Sequence, residues 1–147
     1  MTGSQDPSVI VNVGDFEGAP EALLRSAVVH TLESEAAGPS EVSVTLLRDP
    51  EIRALNREYL SEDRPTDVIA FSLGDDGSIV GDVYVGVEQA ERQSTELGID
   101  LDEELCRLAI HGTLHVLGHD HPEGEERTAC LMYRLQERLL VEALSGR

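Results

Sequence analysis

Residues 101–121 read LDEELCRLAIHGTLHVLGHDH, a stretch that predicts a helix followed by a sharp reversal of the chain. Acidic side chains crowd the first turn, where they interact favourably with the positive end of the helix dipole. The helix should run through His115 to about Leu117 and stop at Gly118, since glycine adopts the left-handed conformation that ends many helices. Four of the five histidines in the chain lie between residues 111 and 121.

The hydrophobic pattern on either side of this stretch predicts further strands and helices. Alternating apolar residues indicate strands, and apolar residues at three- and four-residue spacing indicate helices. Predicted strands cover residues 8–13, 41–47, 67–72 and 79–87, the last interrupted at Gly81. Predicted helices cover residues 21–37, closed by Gly38 and Pro39, then 50–60, capped by Asp49, then 88–97, the helix that starts at Leu101, and 123–144.

This order of elements predicts the fold class. We expect a single α+β domain over residues 1–147, in which about five helices pack a small four-stranded mixed sheet. A chain of this length buries about 68–70% of its unfolded surface and needs no disulfide cross-links to stabilise its core. The two cysteines, Cys106 and Cys130, are too few for a disulfide framework, and both fall in predicted helices.

Composition limits the location and partners of the protein. No segment approaches the ~18 apolar residues of a membrane span, and the N-terminus lacks the pattern of a signal peptide. We therefore expect a soluble protein of the reducing cytoplasm. The net charge is −18, from 29 acidic residues and 11 basic residues that are all arginine. Such a balance argues against non-specific binding of nucleic acid and favours a solvated surface.

The histidine spacing predicts a metal site. His111 and His115 lie one turn apart on one helix face, about 6 Å along the axis, so both rings can reach one ion. Gly118 can turn the chain so that His121 returns to the same point. Three imidazoles leave a fourth position for water, the arrangement of a catalytic zinc rather than a closed structural one.

One residue distinguishes this pattern from a protease motif. The spacing equals that of the metzincin zinc helix, H-E-x-x-H-x-x-G-x-x-H, but Gly112 replaces the glutamate. That glutamate is the general base in those enzymes, so peptide hydrolysis by their route is not predicted. The glycine can instead let the helix approach a strand, or leave room for a phosphate.

Two polar residues beside the predicted ligands have open roles. His119 is either a surface residue, the interpretation we favour, or a group that faces the substrate. Asp120 either accepts the second ring N–H of a ligand histidine or caps the final helix.

Three sequence blocks resemble those of the YbeY family. HGTLHVLGHDH at 111–121 is similar to its signature H-G-x-L-H-L-x-G-[YH]-D-H. DRPTDVIAFSL at 63–73 resembles the block D-[KR]-P-T-D-V-L-S-F, and GDVYV at 81–85 resembles G-D-[IV]-x-I. The resemblance covers most of the chain from about residue 40 to residue 135.

The resemblance implies a fold, a cofactor and an activity. It implies a zinc ion held by His111, His115 and His121, in a fold with a four-stranded sheet packed by helices. The implied activity is endonucleolytic cleavage of single-stranded RNA, in the maturation of small-subunit ribosomal RNA 3′ ends and in ribosome quality control. The implied partners are the small ribosomal subunit and its assembly or translation factors.

One departure from the family concerns substrate handling. Many members carry an arginine, held to be important for activity, after the aromatic residue that precedes the second block, but here Leu60 follows Tyr59. Arg57 and Arg64 can supply the charge from nearby positions, so both join Asp120 as candidate catalytic residues. Arg53 and Arg57 form an i, i+4 pair that would contact phosphates if their helix borders the zinc cleft. Exposed arginines that only balance a negative surface are the alternative.

The sequence therefore predicts a zinc-dependent endoribonuclease. A zinc ion lowers the pKa of its bound water to ~7 and polarises a phosphoryl oxygen, so such a nuclease does not require a carboxylate base. Two alternatives remain open at this point. One is a non-catalytic ribosome-assembly factor stabilised by zinc, an alternative that the leucine at position 60 leaves open. The other is a metal-dependent hydrolase with a substrate other than RNA.

Overall fold

A computed structural model describes residues 6–74, 77–119 and 131–145 of the chain. Within these ranges the chain forms four strands and five helices, which confirms the predicted α+β class. In chain order these are β1 (Ser8–Asn12), α1 (Glu21–Ser34), β2 (Ser40–Leu47), α2 (Asp49–Leu60), β3 (Val68–Ser72), β4 (Ile79–Gly86), α3 (Val87–Leu97), α4 (Leu101–Val116) and α5 (Leu131–Ser145).

The four strands form one mixed sheet in the order β1-β2-β4-β3. β1, β2 and β4 are parallel, and β3 pairs antiparallel with β4. This pattern follows from the connections, because α1 joins β1 to β2 and a parallel pair needs such a crossover, whereas the short link between β3 and β4 allows an antiparallel pair. The predicted four-stranded mixed sheet is confirmed.

Helix α4 occupies the centre of the molecule. It packs against β3 and β4 on one side and contacts α1, α3 and α5, while α2 packs against β4 and α3. Because α4 has neighbours on several sides, its burial does not follow a narrow stripe, and three consecutive residues, Leu108, Ala109 and Ile110, are all buried. The helix that carries the first two predicted ligands is therefore part of the core.

Two glycines let α4 approach the sheet closely. A Cβ placed on Gly112 would lie 2.5 Å from Val83 Cγ1 of β4, and a Cβ on Gly81 would lie 2.5 Å from Val116 Cγ1 of α4. Gly81 pairs in register with Val42 and Ser72 inside β4, so the predicted interruption of this strand is wrong. The glycine serves the contact between helix and sheet instead of breaking the strand.

The start of α2 differs from the prediction. The helix begins at Asp49 and its N-cap is Arg48, so the prediction that Asp49 caps it is wrong. The Arg48 backbone N–H donates to the Glu51 carboxylate at 2.9 Å, which satisfies one of the amide groups at the helix start. Asp49 instead accepts a hydrogen bond from Arg92 of α3 at 3.0 Å.

The end of α1 also differs from the prediction, whereas the predicted start of the final helix is not tested. α1 ends at Ser34, before the predicted residue 37, because Ala36 takes a left-handed conformation with φ 52° and the Ala37 N–H donates back to the Leu32 carbonyl at 3.0 Å. α5 is described from Leu131, and the part of the predicted final helix over residues 123–130 lies outside the described residues.

Two expectations about the whole chain can be compared with the structure. The Cys106 side chain is fully buried in the core, as expected of a cysteine that acts as a small apolar residue, and Cys130 lies outside the described residues. In the described ranges, the helices are too short or too polar to cross a membrane.

Candidate metal centre

The first two predicted ligands meet on one face of α4. The Nε2 atoms of His111 and His115 are 3.1 Å apart. Their rings meet edge to face, with centroids 4.6 Å apart and an interplanar angle of 81°. The structure therefore brings these two imidazoles together as the spacing predicted, and their role as metal ligands stays a prediction.

The neighbours of His111 determine which ring nitrogen carries its hydrogen. Its Nδ1 lies 2.7 Å from Oε1 of Gln136, and the Gln136 amide nitrogen donates to Glu137 Oε2 at 2.9 Å. Because an ionised carboxylate only accepts hydrogen bonds, the amide NH₂ faces Glu137 and the amide oxygen faces His111. The His111 Nδ1 is then the donor, and its Nε2 presents a lone pair toward His115.

His115 is oriented by the turn that follows it. Gly118 has φ 99°, and the His119 N–H donates to the Leu114 carbonyl at 2.9 Å. This turn brings the His119 carbonyl oxygen to 3.0 Å from His115 Nδ1. A carbonyl oxygen only accepts, so His115 also carries its hydrogen on Nδ1 and directs its Nε2 lone pair toward His111.

This arrangement fits a zinc ion. Two lone pairs that face each other at 3.1 Å favour a shared cation. Zinc with tetrahedral N ligands at 2.0–2.1 Å holds two ligand nitrogens about 3.3 Å apart, close to the separation of this pair. Among the described residues no group of three His, Cys, Asp or Glu forms a metal site. The third predicted ligand, His121, lies outside them, as does the candidate catalytic residue Asp120.

The packing of α4 explains why residue 112 is a glycine. A Cβ there would meet Val83 Cγ1 at 2.5 Å and Val68 Cγ2 at 3.2 Å, so a side chain at this position would point into the sheet. The structure therefore supports close approach of the helix to a strand, one of the two interpretations of Gly112. A glutamate could not be placed here without moving α4 away from β4.

The His119 side chain has a partner that the sequence did not indicate. It is partly exposed, at 33%, and its Nε2 lies 2.6 Å from Glu35 Oε1, beside the end of α1. The choice between a surface residue and a group that faces the substrate therefore stays open. Glu35 was missed because 84 residues separate it from His119 and no local pattern links them.

The candidate catalytic arginines lie in and just after α2. Arg57 Nη1 is 3.8 Å from Asp63 Oδ1, and Arg64 Nη2 is 2.7 Å from Glu62 Oε1. Arg53 also donates to Asp63, at 2.8 Å, and this hydrogen bond lowers the pKa of the Asp63 carboxyl. Among the described residues these contacts stay within the segment 53–64 and do not reach the histidine pair, so the predicted catalytic role of both arginines stays a prediction.

A partly buried ionic cluster joins α4 to α5 next to the histidines. Arg107 donates to both carboxylate oxygens of Glu137, at 2.9 and 3.1 Å, and to Glu104 Oε1 at 2.6 Å. Burial alone would raise the pKa of the Glu137 carboxyl, but hydrogen bonds from Arg107 and Gln136 outweigh burial and lower the pKa. Burial would likewise lower the pKa of Arg107, and its hydrogen bonds to Glu137 and Glu104 reverse the effect and raise it. Glu137 is therefore an anion at neutral pH.

The chain matches known proteins over most of its length. A family model described as "Endoribonuclease YbeY" matches residues 13–143. A relative of the same description from Desulfitobacterium hafniense is 40% identical over 140 residues, 88% of this chain and 86% of the relative. Another from Pelotomaculum thermopropionicum is 38% identical over 146 residues, 91% of this chain and 95% of the relative.

A solved structure supports the same relationship. The solution structure of a protein from Thermotoga maritima matches with a TM-score of 0.65 and 28% sequence identity, over 94% of this chain and 90% of that one. The shared fold and the extent of the sequence match agree with the three motif blocks. The chain belongs to the YbeY family of endoribonucleases.

Proposed function

We propose that the protein is a zinc-dependent endoribonuclease that cuts single-stranded RNA. Its proposed roles are the maturation of small-subunit ribosomal RNA 3′ ends and ribosome quality control, and its proposed partners are the small ribosomal subunit and assembly factors. The family supports the endoribonuclease activity. The observation that carries the zinc requirement is the pair of His111 and His115 Nε2 atoms, which face each other at 3.1 Å.

The residues of the chain would have the following roles at this site. His111 and His115, with His121 as the proposed third ligand, hold the zinc ion. When bound, zinc supplies a Lewis acid that polarises a phosphoryl oxygen and lowers the pKa of a water molecule. Gln136 and the His119 carbonyl accept the Nδ1 hydrogens of the first two ligands and so orient both rings.

Helix α4 supplies no carboxylate base at the position after His111. Gly112 takes this position and faces Val83, so the helix differs from a protease zinc helix for a packing reason. RNA brings its own nucleophile in the 2′-hydroxyl, and cleavage by that group leaves a 2′,3′-cyclic phosphate, whereas attack by water leaves a linear phosphate. Analysis of the product ends distinguishes these routes.

Metal content tests the proposed site first. The purified protein should hold about one zinc per chain, and His115→Ala should lose the metal because a ligand is removed. His30→Ala is the matched control, since His30 pairs with Glu142 at 2.8 Å, outside the proposed ligand set. Zinc retained by His115→Ala would refute this site.

Cleavage tests the activity. Wild type, His115→Ala and His30→Ala should be purified identically and incubated with a single-stranded fragment of small-subunit ribosomal RNA. We expect wild type and His30→Ala to cut and His115→Ala to leave the RNA intact, which excludes a contaminating ribonuclease as the source of cleavage. Equal cutting by all three would refute the proposal.

The net charge of −18 makes the form of the substrate informative. The negative charges of the chain repel the phosphates of long free RNA, so contacts with a protein partner would help to bring it to its target. We therefore expect faster cleavage of ribosomal RNA in small subunits than of the same RNA without protein. A faster reaction on the free RNA would count against the proposed partner.

A further inference from the structure

We propose that Gln136 of α5 is a positioning residue for His111, and that Glu137 and Arg107 fix its orientation. These four residues form one chain of hydrogen bonds, called the relay below. The relay makes α5 a part of the candidate metal centre, although its described residues hold none of the predicted ligands. The proposal deepens the proposed function, because it concerns the same zinc site, and it rests on that function only for its effect on metal affinity.

The direction of the relay follows from its charged end. Arg107 can only donate, and it binds both oxygens of Glu137. Glu137 can then only accept, so it receives the Gln136 amide NH₂ at 2.9 Å. The Gln136 oxygen is left for His111 Nδ1, at 2.7 Å. Each hydrogen bond therefore has one chemically allowed direction: Arg107 and Gln136 donate to Glu137, and His111 donates to Gln136.

The surroundings of Gln136 prevent its amide from turning over. Gln136 is only 5% exposed, so water cannot easily replace either of its partners. A reversed amide would place its oxygen against the Glu137 carboxylate, where neither atom can donate a hydrogen. Burying that mismatched pair costs more than losing a single hydrogen bond. The amide oxygen is therefore held toward His111.

The orientation of the Gln136 amide matters because a free imidazole would not favour the Nδ1–H tautomer. In water a neutral histidine prefers the tautomer with hydrogen on Nε2, which cannot bind a metal through that nitrogen. An acceptor at Nδ1 reverses the preference and leaves the Nε2 lone pair available to a metal. Gln136 is that acceptor, and a neutral amide does so without adding a negative charge.

A purely structural link between α4 and α5 is the alternative explanation for the same contacts. Arg107 also contacts Glu103 and Glu104 on its own helix, and Gln93 donates to Glu104 at 2.7 Å, so the cluster has branches that do not lead to His111. A structural role would be sensitive to any of these branches. A positioning role predicts that only the branch through Gln136 alters the His111 ring.

The tautomer of His111 can be measured directly in metal-free protein. Nitrogen-15 NMR of the ring, at about pH 8 where an ordinary histidine is neutral, distinguishes Nδ1–H from Nε2–H. We expect Nδ1–H in wild type, a shift toward Nε2–H in Gln136→Met, which keeps the volume but removes the acceptor, and no shift in Gln93→Met. The His115 ring, held by the His119 carbonyl, serves as an internal reference and should not change.

Zinc affinity, measured by competition with a chelator, gives a second readout. We expect Gln136→Met to weaken binding about 10- to 100-fold, the usual effect of removing a partner that orients a metal ligand. Gln93→Met should bind as wild type does, because its branch of the cluster does not lead to His111.

Either of two results would overturn the proposal. One is Nε2–H on His111 in wild type, and the other is Nδ1–H retained in folded Gln136→Met. The tautomer requires neither zinc nor RNA, so a protein that orients His111 as expected but binds no zinc would refute the proposed function and leave the relay intact.

Discussion

Gly112 of α4 and Val83 of β4 approach so closely that a Cβ on the glycine would lie 2.5 Å from Val83 Cγ1. An alanine in a helix normally stabilises it by about 0.5–1 kcal/mol relative to glycine. Here we expect Gly112→Ala to lower the free energy of unfolding by about 1–3 kcal/mol, because the extra methyl group overpacks the contact between helix and sheet. Urea unfolding of the metal-free protein measures the change.

A double-mutant cycle tests the cause of that loss. Val83→Ala removes the methyl groups that Gly112→Ala would meet, so the two changes together should destabilise the protein less than the sum of the single changes. Strict additivity, or a Gly112→Ala protein as stable as wild type, would contradict the steric explanation of this glycine.

Gly118 should matter for both stability and the metal centre. Its φ of 99° is unfavourable for other residues, so Gly118→Ala should cost about 1–2 kcal/mol. It should also weaken zinc binding, because the turn holds the His119 carbonyl against His115. Gly98→Ala is the matched control: Gly98 ends α3 with φ 69°, so a similar loss of stability should leave zinc affinity unchanged. Equal zinc affinity in Gly118→Ala and wild type would show that the turn at Gly118 does not affect zinc binding.

The ion pair between Arg107 and Glu137 predicts an acid-sensitive component of stability. The folded-state pKa of Glu137 lies below the ordinary value of 4.5, so the pair stabilises the protein above about pH 4.5, and this contribution is lost as the pH falls through the lowered pKa. Glu137→Gln should therefore reduce stability at neutral pH and make its decline in acid less steep. Urea unfolding over a pH series, with a chelator present, measures both effects.

Asp63 provides the comparison for that experiment. Its pKa is also lowered, by the hydrogen bond from Arg53, but the pair is exposed to solvent and screened by salt. Asp63→Asn should change stability little at any pH. A loss in Asp63→Asn as large as that in Glu137→Gln would show that burial of the Arg107 cluster is not the reason for its effect.

The arginines of α2 predict a salt dependence for RNA binding. Arg57 is mostly exposed, and its one described partner, Asp63, is 3.8 Å away, so the guanidinium can still reach a phosphate. If it contacts single-stranded RNA, Arg57→Ala should reduce the slope of log affinity against log salt by about 0.7. Arg25→Ala, an exposed arginine of α1 paired with Glu21, is the control and should leave the slope unchanged. An unchanged slope in Arg57→Ala would show that this arginine does not contact the RNA and only balances the negative surface.

Local chemistry made much of the fold predictable. Gly98 and Gly118 ended helices where the sequence placed them, because the left-handed conformation follows from the residue type itself. The placement of His111 and His115 was equally predictable, since helix geometry alone sets the spacing of residues four apart. The start of α2 was not predictable. Arg48 and Asp49 are both possible caps, and Asp49 accepts a hydrogen bond from Arg92, which is distant in sequence.

The partners of the histidines could not be predicted, because they come from elements far away in sequence. Gln136 lies 25 residues after His111, and nothing in the pattern of α5 marks a buried glutamine as an acceptor for a distant imidazole. Glu104 had an adequate explanation as an acidic residue in the first turn of a helix, which concealed its contact with Arg107. Gly112 was open to two interpretations until the position of Val83 was known.

The link from His111 to Gln136 also has a consequence for the order in which the metal centre is assembled as the chain is synthesised. Chains fold from the N-terminal side as the ribosome produces them, and α4 is complete before any of α5 has been made. Until Gln136 has left the ribosome, the His111 ring lacks the acceptor that sets its tautomer. The order of the chain therefore places the helix that carries the histidine pair ahead of the residue that sets the tautomer of His111.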